Sequence, residues 1–320
     1  MMRIALLGLG KMGANMARRL ARHNIEVVGF NRSQEIVNTL AAEQVIIPAN
    51  TLTEVVAKLS TPRIIWLMLP AGITTEEAIN QLVPLLGKGD IIIDGGNSNY
   101  HDSVRRGQLL AQHNISFVDA GTSGGIWGLE NGYCLMVGGT TQTVEIIAPV
   151  LKALAPASDR GWARVGPVGA GHYTKMIHNG IEYGMMQAYS EGFTLLHRKE
   201  EFEIDLAQIT ELWRHGSVVR SWLLDLTAQA FKVDAAVGPA SPAQKPAQIL
   251  DALSPYVEDS GEGRWVVIEA VEQGVAIPVI TLALQMRFVS RETSGYGYRL
   301  LSLMRKAFGG HVAPKIEKKS

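Results

Sequence analysis

An apolar run at 3–7 leads directly into Gly8-Leu-Gly10-Lys-Met-Gly13, and a helical stretch follows at once. A strand that turns within two residues and then starts a helix needs unusual backbone freedom at the turn, which Gly8 supplies. Gly10 lets a pyrophosphate approach the backbone, and Gly13 permits close packing of helix on strand. The helix start then offers unpaired N–H groups and the positive end of its dipole to an anion. The spacing points to a dinucleotide site, with Leu9, Lys11 and Met12 completing the turn.

The alternation of strand and helix continues through the first half. Strand-like runs fall at 3–7, 26–30, 63–69, 90–94, 116–119 and 134–137, with helical stretches such as 12–23, 74–86 and 103–112 between them. The run Ile64-Ile-Trp-Leu-Met-Leu69 is apolar on both faces, which suits a parallel sheet covered on both sides. After Gly166-Pro-Val-Gly-Ala-Gly171 strands become scarce, and helical stretches dominate at 172–199, 205–215, 263–273 and 278–291. The expected architecture is a Rossmann-type, doubly wound α/β domain over 1–168 and an all-α domain over 169–320. A charged, frayed tail at 315–320 closes it.

Thirty Lys and Arg balance thirty Asp and Glu, so no global field draws the chain to nucleic acid or an anionic membrane. The single Cys134 excludes an internal disulfide and offers no zinc-type spacing; it reads as a small buried hydrophobe, not a nucleophile. No apolar run approaches membrane-spanning length, and the start lacks the pattern of a secretory signal. A cytoplasmic enzyme is expected.

The second strand ends in Gly29-Phe-Asn31-Arg32-Ser33. An acidic residue here would accept from the adenosine ribose and select NAD. Asn31 has no charge to repel a 2′-phosphate, Arg32 can stack on adenine and attract the phosphate, and Ser33 can donate to it. This favours NADP over NAD, although Ser33 or Asn31 also reads as an ordinary helix cap.

Two more glycine-rich loops follow strand ends, Asp94-Gly-Gly-Asn97-Ser-Asn99 and Ala120-Gly-Thr-Ser123-Gly124-Gly125. In open α/β sheets ligands gather at these carboxyl ends. In the helical segment 169–185, Lys175, His178, Asn179 and Glu182 follow the i, i+3, i+4, i+7 spacing and share one face. That stripe reads either as a solvated face or as an active site with a potential base and a potential acid two turns apart. His178 alone also reads as a structural histidine.

These strings, with the continuation Gly169-Ala-Gly-His-Tyr-Thr-Lys175-Met-Ile-His-Asn-Gly-Ile-Glu-Tyr183-Gly, resemble the decarboxylating 6-phosphogluconate dehydrogenase family over nearly the whole chain, and its short bacterial form in length. The resemblance implies oxidation of 6-phospho-D-gluconate at C3 by NADP or NAD, loss of CO2 and release of ribulose 5-phosphate in the pentose phosphate pathway, without a metal. It implies Lys175 as base and Glu182 as acid, with Asn97, His178 and Asn179 orienting the substrate and Ser123, Gly124 and Gly125 holding its carboxylate. Leu69 and Asn97 would border the cofactor. Tyr183 and Arg287 match phosphate contacts, and 305–311 resembles a tail motif whose Arg305 and His311 enter the neighbouring active site of a homodimer. Without the resemblance, Arg305 reads as a basic helix end. Long-form members carry Lys and Thr where this chain has Ser260 and Glu262, so a sugar acid with another anion at C6 is an alternative substrate. A 3-hydroxyisobutyrate-type dehydrogenase is the other enzymatic alternative, though that family is not expected to share the His178–Tyr183 continuation.

Overall fold

The computed structural model describes residues 2–231, 250 and 253–309. These described residues fall into two compact units, one within 1–182 and 261–275 and one within 183–260 and 276–309. In the first, strands and helices alternate as β1 (Arg3–Leu7), α1 (Lys11–Arg22), β2 (Glu26–Phe30), α2 (Gln34–Ala42), β3 (Ile47–Pro48), α3 (Leu52–Ala57), β4 (Ile64–Leu67), α4 (Ile73–Leu82), β5 (Ile91–Asp94), α5 (Tyr100–Gln112), β6 (Ser116–Ser123), α6 (Gly128–Asn131), β7 (Cys134–Gly138), α7 (Thr141–Leu154) and β8 (Trp162–Gly166). The strands make one sheet in the order β3-β2-β1-β4-β5-β6-β7-β8.

Side-chain alternation explains why this sheet lies inside. In β1, Ile4 and Leu6 join one apolar cluster while Ala5 and Leu7 join another. Ile64 and Trp66 of β4 divide from Ile65 and Leu67 in the same way. With both faces covered, strands read as continuous apolar runs.

The edge strands β3 and β8 escape that signal, since β3 has two residues and β8 is mostly exposed. β7 also departs from an all-parallel sheet: it pairs antiparallel with β6, setting Gly121 opposite Met136 and Ser123 opposite Cys134. β6 therefore runs four residues past the expected 119, through a glycine-containing stretch that looks like loop. Cys134 corrects another expectation. It lies exposed at the start of β7 and not in the core.

The helix α8 (Ala170–Arg198) begins in the first unit. Asp119, fully buried on β6, holds its start. Its Oδ1 accepts from Gly169 N–H at 2.7 Å and its Oδ2 from His172 N–H at 2.8 Å. A carboxylate here satisfies orphan donors and matches the helix dipole. His172 is buried as well, with Nδ1 2.7 Å from Ser103 Oγ of α5. A helix from later in the chain, α11 (Glu262–Gln273), completes this unit; its Glu269 accepts from Tyr100 at 2.6 Å.

The second unit contains the rest of α8, α9 (Leu206–Trp213), α10 (Trp222–Ala230), α12 (Pro278–Val289) and α13 (Tyr296–Gly309). Asp205 and Ser221 cap α9 and α10. Arg214 ties those helices together through Asp225 at 2.7 Å. α12 and α13 leave large apolar side chains exposed, among them Val279, Leu282, Leu301, Leu303 and Met304.

Candidate active site

The glycine turn behaves as its spacing requires. Gly8 has φ +92°, and a Cβ there would lie 2.3 Å from Met68 O. A Cβ on Gly13 would lie 2.0 Å from Gly8 O, so only glycine lets α1 sit this close. Gly10 is different: nothing lies within 4 Å of a Cβ built on it. It is also the N-cap of α1 and contributes no capping side chain. An open approach to a helix start without a cap fits a pyrophosphate.

Around this turn runs a cleft of about 730 Å³, bordered by Gly8, Gly10, Lys11, Met12 and Gly13, by Asn31, Arg32 and Ser33, and by Leu69 and Asn97. Leu9 is placed otherwise. Its side chain is buried in the core and its N–H donates to Asn31 Oδ1 at 3.0 Å. Asn31 also donates through Nδ2 to Ser33 O at 3.3 Å. The Asn31 side chain thus shapes the turn, while Arg32 is exposed and Ser33, the N-cap of α2, makes no side-chain capping bond. Both stay available to a ligand.

Lys175 and Asn179 are buried while the His178 and Glu182 side chains stay partly exposed, so the stripe runs from the interior to an open edge. Lys175 Nζ donates to Asn179 Oδ1 at 2.7 Å and lies 3.3 Å from His178 Nδ1. His178 Nε2 lies 3.5 Å from Ser123 Oγ, and its Nδ1 lies 3.9 Å from Glu182 Oε2. The loop and the helix face therefore meet at His178. Burial pushes the Lys175 amine down from its ordinary range, against the raising influence of Glu182, Glu262 and Cys134. Burial also pushes His178 down, helped by the Lys175 charge and opposed by its Asn179 bond and Glu182. Both groups thus give up a proton more readily than they would in water.

In the second unit the Arg287 guanidinium lies 3.6 Å above the centre of the buried Tyr183 ring and donates to Glu258 O at 2.6 Å. Stacking on an aromatic face while offering remaining N–H groups suits anion binding. Arg305 is exposed on α13. His311 lies outside the described residues. Sequence reasoning missed Asp119, His172 and Arg106 of α5, all buried. The one signal available was a charged residue inside an otherwise apolar-patterned strand or helix. It also left Glu262 as a departure without a place; the structure buries it at the first turn of α11.

Elsewhere in the first unit, His101, Glu269 and Glu272 bring one potential metal-ligand atom each within 4.8 Å of one another. Both Glu269 oxygens already accept hydrogen bonds, from Tyr100 and from Gln273.

Residues 3–165 match the NAD binding domain of 6-phosphogluconate dehydrogenase, and residues 171–316 match the 6-phosphogluconate dehydrogenase C-terminal domain. The chain belongs to the 6-phosphogluconate dehydrogenase family. The NAD(+)-dependent, decarboxylating 6-phosphogluconate dehydrogenase of Haloferax volcanii is 38% identical over 310 residues, which is 97% of this chain and 98% of that one. A Plasmodium falciparum 6-phosphogluconate dehydrogenase, studied in its apo form and in complex with its cofactor NADP+ and with its substrate, superposes with a TM-score of 0.80 at 27% identity. The match covers 99% of this chain and 67% of that one. A Mycobacterium tuberculosis 3-hydroxyisobutyrate dehydrogenase reaches a TM-score of 0.67 at 23% identity, over 90% of this chain and 93% of that one, a likeness of fold alone. The decarboxylating 6-phosphogluconate dehydrogenase of Staphylococcus aureus is 37% identical over 297 residues, which is 90% of this chain and 61% of that one.

Proposed function

We propose that this protein oxidatively decarboxylates 6-phospho-D-gluconate to D-ribulose 5-phosphate and CO2, with NADP favoured over NAD. The observation that carries the reading is the buried Lys175 amine, held by Asn179 and His178 and facing a carboxylate two turns along its own helix. The cofactor, when bound, accepts the hydride from C3. Lys175 in its neutral form takes the proton of the C3 hydroxyl as that hydride leaves. Now protonated, it donates a hydrogen bond to the new C3 carbonyl and stabilises the charge that develops there as the C1–C2 bond breaks and CO2 departs. Glu182 gives a proton to the carbon that carried the carboxylate, converting the enediol to the ketose. Ser123, Gly124 and Gly125 hold the carboxylate, while Asn97, His178 and Asn179 orient the hydroxyls.

Arg32 and Ser33 are assigned to the 2′-phosphate, because Asn31 is committed to the turn and residues 31–33 after β2 include no acidic side chain. The 6-phosphate is assigned to Tyr183, Arg287, Arg305 and His311, the last two acting from a partner chain. Residues 1–168 would serve the cofactor, and 169–320 the substrate and dimerisation. A homodimer accounts for the exposed apolar side chains of α12 and α13, since contiguous patches of this kind mark protein contacts. No described helix is long and apolar enough to cross a membrane.

The deciding assay supplies 6-phosphogluconate with NADP or NAD and measures reduced cofactor and CO2 together. Stoichiometric CO2 supports the reading. Reduction without CO2, or turnover by Lys175→Ala close to the parent's, would rule it out.

A further inference from the structure

Arg106 lies in the middle of α5 and is 1% exposed. Its Nη1 donates to Asp94 Oδ2 at 3.0 Å and to Ser98 Oγ at 3.2 Å. Its Nε donates to Glu76 Oε2 at 3.0 Å and its Nη2 to Gly72 O at 3.3 Å. Asp94, fully buried, accepts in addition from Ser98 Oγ at 2.7 Å and from Gly96 N–H at 3.1 Å. One guanidinium therefore joins two segments that are distant in sequence. The first is the Asp94–Ser98 loop, whose Gly95, Gly96 and Asn97 border the cleft. The second is the start of α4, whose Thr74, Glu77, Ala78 and Gln81 border it too.

The sheet order sets which part of the cleft this is. β2, with Asn31–Ser33 after it, lies on one side of β1, and β4 and β5 lie on the other. If the glycine turn between them takes the pyrophosphate, Asn31–Ser33 takes the adenosine and the Asn97 loop faces the reacting half. This step rests on the dinucleotide reading above.

We propose that Arg106 is a positioning residue for the reaction, clamping the Asn97 loop to the start of α4 and so fixing the reacting end of the cofactor cleft. It touches neither ligand. A planar fork with donors in fixed directions serves four acceptors at once; a lysine can satisfy the charge but not the geometry. Loop and helix would then separate by a fraction of an ångström while the glycine turn stays as it is.

The test compares Arg106→Gln, Arg106→Lys and Ser98→Ala with the parent for affinity toward ADP-ribose, affinity toward NADPH, kcat and thermal midpoint. The expected result for Arg106→Gln is ADP-ribose affinity within twofold of the parent, NADPH affinity down about tenfold and kcat down tenfold or more. Arg106→Lys should recover part of the loss, and Ser98→Ala should show about a threefold effect in the same direction. Equal loss of both ligands, or NADPH affinity and kcat both within twofold of the parent, overturns the proposal. If Arg106→Gln does not fold, the same comparison on the lysine and alanine variants decides. A parent that binds dinucleotides yet leaves 6-phosphogluconate untouched sinks the proposed reaction, and the two affinities still judge Arg106.

Discussion

Adding one methyl group to Gly121 should disable this protein without unfolding it. A Cβ built there lies 2.4 Å from Lys175 Cβ, 2.8 Å from Gly171 O and 3.1 Å from Lys175 Cγ. Carbon atoms rest against each other at about 3.5–4.0 Å, so strand and helix must part by roughly 1 Å at the very residue assigned as base. Overpacking of this kind costs about 1–3 kcal/mol, a fall of only a few degrees in midpoint for a protein of this size. The effect on rate is larger, because about 1 Å of misplacement at a reacting group costs about 100-fold. Gly121→Ala should therefore melt a few degrees below the parent, keep its NADPH affinity and lose about two orders of magnitude in kcat. Steady-state kinetics with 6-phosphogluconate, a cofactor titration and a melting curve make the measurement. A kcat within threefold of the parent would mean that the contact between Gly121 and Lys175 does not set the position of the amine.

Gly10→Ala makes the opposite case: its Cβ meets nothing within 4 Å, so the melting midpoint should hold while cofactor affinity falls, and an unchanged Kd would remove the pyrophosphate from this turn. Glu262→Gln removes a negative charge that holds the Lys175 pKa up against burial, so the neutral base should persist to lower pH and the acid limb of kcat/KM should shift down; an upward or absent shift contradicts that coupling. Glu76 has its carboxyl pulled from 4.5 to about 2, chiefly by its Arg105 bond and further by Arg106. The unfolded chain binds this proton more readily than the folded one, so the pair's stabilisation is present above about pH 4.5 and is lost as pH falls through 2. Acid unfolding curves of Glu76→Gln should accordingly be flatter in that window; curves parallel to the parent's would show the ion pairs to be idle.

The fold was readable wherever one pattern dominated. β1, β2, β4 and β5 are apolar on both faces, and α1 follows a glycine turn that admits few alternatives. β8 was unreadable because an exposed edge strand carries no apolar run. The extension of β6 was hidden for a different reason. Gly121 reads as loop chemistry, but its smallness serves the helix packed against it and not a turn. At the candidate site the spacing of Lys175, His178, Asn179 and Glu182 was visible, since helical geometry alone puts them on one face. Their supports were not. Asp119 and Arg106 act through contacts with residues 50 and 12 positions away, and no local pattern distinguishes such a charge from one that faces water.

Asp119 and Gly121 lie two residues apart on β6 and so point the same way, toward α8. Two strand residues advance about 6.6 Å, and the four helical steps from Gly171 to Lys175 advance about 6 Å. The two periods nearly coincide, which lets one residue grip the first turn while the other makes room for the next. β6 thus works as a ruler laid along the helix. A ruler tolerates substitution better than it tolerates a change of length. Deleting a single residue between His172 and Lys175 would rotate the amine by about 100° about the helix axis and set a different side chain against Gly121. Insertions and deletions should therefore be excluded from these few residues far more strictly than replacements are.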